Sequence, residues 1–225
     1  MPSNSDGRVP VFREMFKEVR GRRKNPRATV VGITGIDGSG KTEFAKAFGK
    51  YVFSKGWKVQ MIHLDDFHCP KSVRYCKVVG GDDADRYYKR SFDISRIVDK
   101  LLLPIHNFGR PFYVDLPVFD LEANRIGDLK RYEFDRETIA VFEGVFLFRN
   151  EFAQYIDYMA FMYIPFEEGK ERALRRDGQE MLGKYMEKYY PAQLKYMRRY
   201  SPADHADIII DNTDWEEPEI KKKNY

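Results

Sequence analysis

Cysteine is scarce in this sequence: Cys69 and Cys76 are its only two among 225 residues. Two cysteines make no disulfide framework in a chain of this size. They also lack the further Cys or His spacing of a zinc site, although His63 and His68 lie close by. No apolar run approaches the roughly 18 residues that a membrane-spanning helix needs. Met1 to Gly7 is polar and has no signal-peptide core. A strong excess of one charge is missing too, since 39 Lys and Arg against 35 Asp and Glu leave +4. That balance suits a protein that handles anions but does not by itself mark a nucleic-acid binder. No internal repeat and no long low-complexity segment is present, and aromatics make up 15% of residues, which argues against global disorder. The expectation is a cytoplasmic protein of a reducing compartment, with no membrane span and no nucleic-acid partner. Its length suits one sizeable core.

What is present starts at Ala28. Ala28 to Thr34 is a β-branched apolar run and reads as a buried strand. It leads into Gly35-Ile36-Asp37-Gly38-Ser39-Gly40-Lys41-Thr42, which fits the phosphate-loop pattern G-x-x-x-x-G-K-[ST]. Glu43 to Ser54 follows with helical spacing at Phe44, Ala45, Phe48 and Val52. With glycine near 7% of residues, chance produces the pattern roughly once in a hundred chains of this length. Strand, loop and helix together are the context that gives it meaning. The glycines let the backbone approach an anion, and successive amides at a helix start point at it. Lys41 is expected to reach the β- and γ-phosphates of ATP, and the Thr42 hydroxyl to hold Mg2+. A plain glycine-rich turn is the alternative.

Around this centre the chain reads as one phosphate-loop domain over 28–225, preceded by an N-terminal helix and basic linker over 1–27. Residues 1–10 are expected to be loose, with a helix over Val11 to Arg22. Further strands are expected at Lys58 to Leu64, Thr138 to Val145, Tyr158 to Ile164 and Ala206 to Ile210. A helix over Phe92 to Leu103 should end at Pro104, and one over Glu180 to Tyr200 should break before Pro191. Pro70 to Arg90 reads as loop or short helices, a candidate mobile wall. Phe112 to Phe119 and Arg125 to Phe134 read as a hairpin (about 112–134). Glu167 to Asp177 is a charged helix, part of a lid over about 166–184. Residues 214–225 read as an exposed tail. The expected class is therefore α/β, a three-layer phosphate-loop fold with a five-stranded parallel core sheet, a β-hairpin insertion and an arginine-bearing helical lid.

In such sheets ligands bind at the carboxyl ends of the strands, which would collect Lys41, Thr42, Asp65 and Glu143. Moving a phosphoryl group to a hydroxyl needs metal, charge neutralisation and a proton acceptor. Asp65 and Asp66 are candidates for the acceptor of the proton, and alternation along a strand would turn only one of them to the phosphates. Glu143, after Ala140-Val141-Phe142, is a candidate Mg2+ ligand. Arg172, Arg175 and Arg176 share a helix face and either close over the γ-phosphate or form a solvated surface.

These residues together resemble the uridine kinase family of phosphate-loop kinases, whose relatives include pantothenate kinase and phosphoribulokinase. The resemblance runs from Val30 to Asp214. It is carried by Gly35 to Thr42, Asp-Asp-Phe-His at 65–68, Pro-Val-Phe-Asp at 117–120, Phe-Glu-Gly-Val-Phe-Leu at 142–147 and Ala-Asp-Ile-Ile-Ile-Asp-Asn-Thr-Asp at 206–214. It implies that Asp65 is the catalytic base and lies near Mg2+, that Glu143 is the acid after the third strand, and that Arg172 and Arg176 are lid arginines. It also implies that the hairpin covers the acceptor, with His68, Phe119, Asn124 and Arg125 as acceptor-side residues. His68 and Phe119 stand where nucleoside kinases of this family usually have Tyr, and Asn124 stands near their hairpin His. Those departures fall on the groups that discriminate substrates.

The activity expected from the sequence is ATP- and Mg2+-dependent transfer of the γ-phosphate to a hydroxyl of a small molecule. A nucleoside such as uridine is the first acceptor, and a pantothenate-like or sugar-like alcohol the second. A nucleotide-hydrolysing switch is the competing class. The chain lacks the Asn-Lys-x-Asp signature of guanine binding, and homo-oligomer formation is left open.

Overall fold

Alternation of side chains along a strand lets one apolar strand serve two cores, and the central strand here does so. A computed structural model of the chain describes residues 6–24 and 26–223. The chain runs α1 (Val9–Gly21), β1 (Thr29–Gly35), α2 (Lys41–Ser54), β2 (Lys58–His63), α3 (Lys71–Arg74), α4 (Asp83–Arg90), α5 (Ile94–Ile97) and α6 (Leu103–Asn107). It continues with the hairpin strands β3 (Phe112–Asp120) and β4 (Arg125–Phe134), then β5 (Thr138–Gly144), α7 (Asn150–Ala153) and β6 (Tyr158–Tyr163). The last elements are α8 (Phe166–Asp177), α9 (Leu182–Lys184), α10 (Tyr190–Tyr200), α11 (Pro202–His205), β7 (Ile208–Asp211) and β8 (Glu219–Lys223).

The main sheet has the order β2-β5-β1-β6-β7-β8. Its first five strands are parallel, as expected. Val31, Ile33, Val141 and Met162 face α1 and α2, joining Phe12, Met15, Phe44 and Phe48. Val30, Phe142 and Phe161 face the other way, onto Leu101, Phe152 and Tyr196. This gives the three layers. The first helix is part of that packing: Phe12 lies 5.1 Å from Phe44 and 5.8 Å from Tyr51, ring centre to ring centre.

Three expectations need correction. The end of the chain is not a plain exposed tail, since Glu219–Lys223 forms β8, antiparallel to β7. Ile220 packs against the α1–α2 core, while Lys221 bonds Asp211 at 3.2 Å and Lys223 bonds Glu14 at 2.8 Å. A short lysine-rich strand is a usual way to close a sheet edge. Residues 224–225 of that segment, like 1–5 and Asn25, lie outside the described residues.

The two prolines also do not end their helices. A π-helical turn, Val98–Leu102, precedes Pro104, and another, Tyr185–Tyr189, precedes Pro191. A proline lacks an amide donor and its ring strikes the carbonyl four residues back. The wider turn holds that carbonyl, of Lys100 or Glu187, clear, and both helices run on. Lastly, β2 stops at His63, and Leu64–Phe67 is a 3-10 turn. Asp65 and Asp66 are thus separated by a turn, not by strand alternation.

Candidate functional site

The loop Gly35 to Thr42 joins β1 to α2 at the carboxyl edge of the sheet. Gly38 and Gly40 both have φ of +79°. A Cβ on Gly38 would collide with the Gly169 carbonyl at the start of α8, and one on Gly40 would stand 2.6 Å from Asn212 Nδ2. Two side chains from distant elements clamp the loop. Gln193 of α10 accepts from the Asp37 amide at 2.9 Å and donates to the Asp37 carboxylate at 2.7 Å. Asn212 donates to the Ser39 carbonyl at 2.8 Å. Ile36 lies beneath, buried, its carbonyl accepting from the Ser39 amide at 3.1 Å. Lys41 Nζ rests 3.4 Å from that same carbonyl and 3.6 Å from Asp37.

The Thr42 hydroxyl donates to Glu143 Oε2 at 3.1 Å, and the other Glu143 oxygen meets His63 Nδ1 at 2.7 Å. His63 sits opposite Glu143 in the register of β2 and β5. It fixes the carboxylate from the second side, a task the sequence reading missed. A histidine at the last position of a strand whose neighbour ends in an acid was the available signal.

Asp65 is open to solvent, with its side chain 76% exposed. Protein packed around it nevertheless pushes its pKa above the usual carboxylate range; His68 and Lys41 oppose the push, and Glu143 and Asp37 add to it. The open face limits its size. His68 is buried, its Nδ1 lies 2.9 Å from the Asp65 carbonyl, and its ring packs 4.6 Å from Phe92. Burial lowers its pKa and so favours the neutral imidazole. Asp66 is engaged elsewhere, accepting from Lys130 at 2.7 Å and Tyr132 at 3.2 Å of the hairpin.

The two expected lid arginines have different surroundings. Arg172 bonds Glu168 at 2.7 Å and donates to the carbonyls of Asn212 at 3.0 Å and Thr213 at 2.6 Å. It ties α8 to the loop after β7. Arg176 forms a fork onto Asp177 at 2.6 and 2.8 Å and donates to Tyr185 at 3.2 Å. Arg175 is exposed. Between α8 and the loop after β7 opens a cleft of about 590 Å3, bounded by Gly38, Gly40, Phe44, Arg172, Arg175 and Trp215.

On the opposite side of Asp65, the hairpin meets α3. Asn124, at φ 51°, accepts from the Lys71 amide at 2.9 Å and from Arg74 at 3.4 Å. Arg74 lies over the Phe119 ring at 5.9 Å. Asn124 and Phe119 therefore converge through an arginine the sequence reading did not name. Arg125 is exposed at the start of β4, opposite Asp120.

The loop fits a bound phosphate. The Ser39 hydroxyl is buried without a partner, and no Cβ obstructs the turns. Thr42 and Glu143 offer oxygen donors of the kind Mg2+ takes. Among the described residues no group of three or more His, Cys, Asp or Glu converges on one point. Mg2+ needs no such cage, because it binds one or two carboxylates and fills its shell with water and phosphate oxygens.

Comparison with known proteins bears on the fold. No family model matches the chain. A protein from Bacillus stearothermophilus described as a possible uridine kinase superposes with a TM-score of 0.71 at 21% identity, covering 89% of this chain and 98% of its own. The fold is that of phosphate-loop kinases. A candidate fructose transport system kinase from Silicibacter superposes at 0.59 with 17% identity, over 85% of this chain and 90% of its own. A D-glycerate 3-kinase from Cryptococcus neoformans superposes at 0.52 with 13% identity, over 100% of this chain and 99% of its own. Among the described residues no helix is long and apolar enough to cross a membrane.

Proposed function

We propose that this chain is an ATP-dependent kinase of the uridine kinase-like group, transferring the γ-phosphate to a hydroxyl of a small molecule. The observation that carries the reading is a phosphate loop whose Thr42 meets Glu143 at 3.1 Å, with the Asp65 carboxylate open to solvent beside it. The loop amides and Lys41 would hold the phosphates, and the nucleoside would extend into the cleft toward Trp215. Thr42 and Glu143, with Asp65 near, would hold Mg2+, which supplies charge neutralisation on the transferring phosphoryl group. Asp65 accepts the proton of the attacking hydroxyl. Arg176, on the lid, would supply positive charge to the transferring group on closure, giving up its fork onto Asp177.

Uridine is the acceptor that the family resemblance suggests first. We rank it second to an acidic or sugar-like alcohol. At its expected polar contacts, one ring nitrogen of His68 is held by the Asp65 carbonyl and the Asn124 Oδ1 by the Lys71 amide, and Phe119 offers no hydrogen bond. A D-glycerate 3-kinase of the same fold is in keeping with that order.

The test is ADP release with Mg2+ and ATP, with and without a panel of alcohols. Release that depends on an acceptor, and is lost in Lys41→Ala with the melting temperature unchanged, supports the kinase. Equal release with and without every acceptor identifies a nucleotide-hydrolysing switch instead. Equal ATP affinity and turnover in Lys41→Ala removes the loop from the mechanism.

A further inference from the structure

Arg74 is a buried cation with little to bind. It is 9% exposed, and its Nε has no hydrogen-bond partner. Among the described residues its one hydrogen bond is the long 3.4 Å bond to Asn124 Oδ1, an oxygen that already accepts from the Lys71 amide. The other side of the guanidinium faces the Phe119 ring. The Nε donor of its rigid fork is thus shut away without a partner. A buried charge in that condition is costly unless something pairs with it.

Lys188 repeats the pattern from the opposite side. It sits on the π-helical turn Tyr185–Tyr189 that follows the lid, half-buried, its Nζ 5.4 Å from the ring centres of Tyr75 and Tyr87 and 5.1 Å from that of Tyr189. Among the described residues neither cation has a carboxylate within 4.0 Å. Asp83, the acid whose charge favours the Lys188 ammonium, is held by Arg86 at 2.7 Å. Burial lowers the Lys188 pKa, and Arg74, Arg86 and Lys184 lower it further.

Both cations stand on the wall that carries the base. From Lys188 the rings run through Tyr87 to Phe92, 6.0 Å apart, and on to His68 at 4.6 Å. His68 touches the Asp65 carbonyl, and the charges of both Arg74 and Lys188 act on it. Two cations without a carboxylate partner, one from α3 beneath the hairpin and one from the π-helical turn before Pro191, thus act on His68, the residue that touches Asp65.

Resting on the kinase reading above, we infer that the acceptor is a small alcohol bearing a carboxylate or a phosphate, bound through that anion by Arg74 and Lys188. The planar fork of Arg74 suits two oxygens of either group. Lys188 adds a second point charge from the π-helical turn that follows the lid. A neutral acceptor would leave both cations unpaired, and a site built on charged donors discriminates strongly against it.

The test holds the protein saturated with Mg2+ and a non-hydrolysable ATP analogue, so that the phosphate loop is filled. Inorganic phosphate is then titrated calorimetrically into the parent, Lys188→Gln, Arg74→Gln and Arg74→Lys. In parallel, KM is measured with ATP for glycerate, glycerol 3-phosphate, glycerol and uridine. The expected result is phosphate binding by the parent, weakened at least about tenfold in both glutamine variants and partly restored in Arg74→Lys. Turnover is expected with an anionic alcohol over glycerol and uridine. Arg74→Lys and Lys188→Gln keep the test open if Arg74→Gln does not fold. No phosphate binding beside the bound analogue overturns the inference, as does faster turnover of uridine or glycerol. It is equally overturned if the variants weaken the ATP analogue and leave phosphate binding alone, since the cations then serve the nucleotide. Failure of the parent to bind the ATP analogue at all is a different result, and it removes the kinase reading itself.

Discussion

The Thr42 hydroxyl and the Glu143 carboxylate, 101 residues apart in the chain, meet at 3.1 Å. Parallel pairing of β1 with β5 brings them together, because it sets Thr34 opposite Gly144 and so places the loop after one strand beside the acid that ends the other. His63 holds the same carboxylate from β2 at 2.7 Å. Replacing Glu143 with Gln removes the charge from this cluster and is expected to raise the Mg2+ concentration needed for half-maximal turnover by about tenfold or more. His63→Ala should produce a smaller shift in the same direction, within the range seen when a supporting partner of a metal ligand is lost. A Mg2+ titration of turnover measures both, and an unchanged midpoint in Glu143→Gln removes it from the metal site.

Asp65 and Asp66 are neighbours with different work. Asp65→Asn should lower turnover by roughly a hundredfold, the usual range for a positioned acid–base group, and leave ATP affinity nearly intact. Asp66→Asn should instead loosen the hairpin, since it weakens the bonds to Lys130 and Tyr132. Its signature is a lower melting temperature with a smaller effect on turnover. The reverse pattern would exchange the two assignments.

The pH dependence follows from the direction of the Asp65 shift. As the proposed base, Asp65 must be ionised to take a proton, and the protein packed around it holds its pKa above 3.8, by an amount its open face limits. Turnover should therefore be flat at neutral pH and fall tenfold per unit once the pH drops below that raised value. Stability runs the other way for this group. The folded state binds the proton more tightly than the unfolded chain, so stability increases as pH falls through the window between 3.8 and the folded pKa. Above that window the ionised carboxylate costs stability. Asp65→Asn should accordingly melt no lower than the parent at pH 7, and a clear loss of melting temperature contradicts the shift.

Arg172 and Arg176 should separate in kinetics. Arg172→Ala releases the carbonyls of Asn212 and Thr213, and Asn212 also holds the phosphate loop. It should raise KM for ATP by about tenfold. Arg176→Ala removes positive charge from the lid and should act mainly on kcat, by at least about tenfold, as expected for an interaction made in the transition state. Steady-state kinetics of the two variants decide, and unchanged kcat in Arg176→Ala returns that side chain to a role in lid packing with Tyr185.

What the sequence determined by itself was local and periodic. The loop from Gly35 to Thr42 was legible because a phosphate cradle needs particular residues at fixed offsets. The five parallel strands were legible because each is an apolar run bounded by turn signals. The hairpin announced itself by two strand-like runs around Glu122 to Asn124. The strand at Glu219–Lys223 did not, because its pairing with Ile208–Asp211 rests on a neighbour and not on its own lysine-rich pattern. Nor did the helices that pass through Pro104 and Pro191, because a π-helical turn leaves no mark in hydrophobic spacing. The clamp of Gln193 on Asp37 spans 156 residues and that of Asn212 on Ser39 spans 173. Such contacts depend on how the helices and strands fold back over the loop. The same is true of Arg74, an ordinary arginine in a polar stretch until the hairpin covers it and takes its water away. Charge becomes informative only when burial makes it costly to leave unpaired, and burial is a property of the tertiary structure.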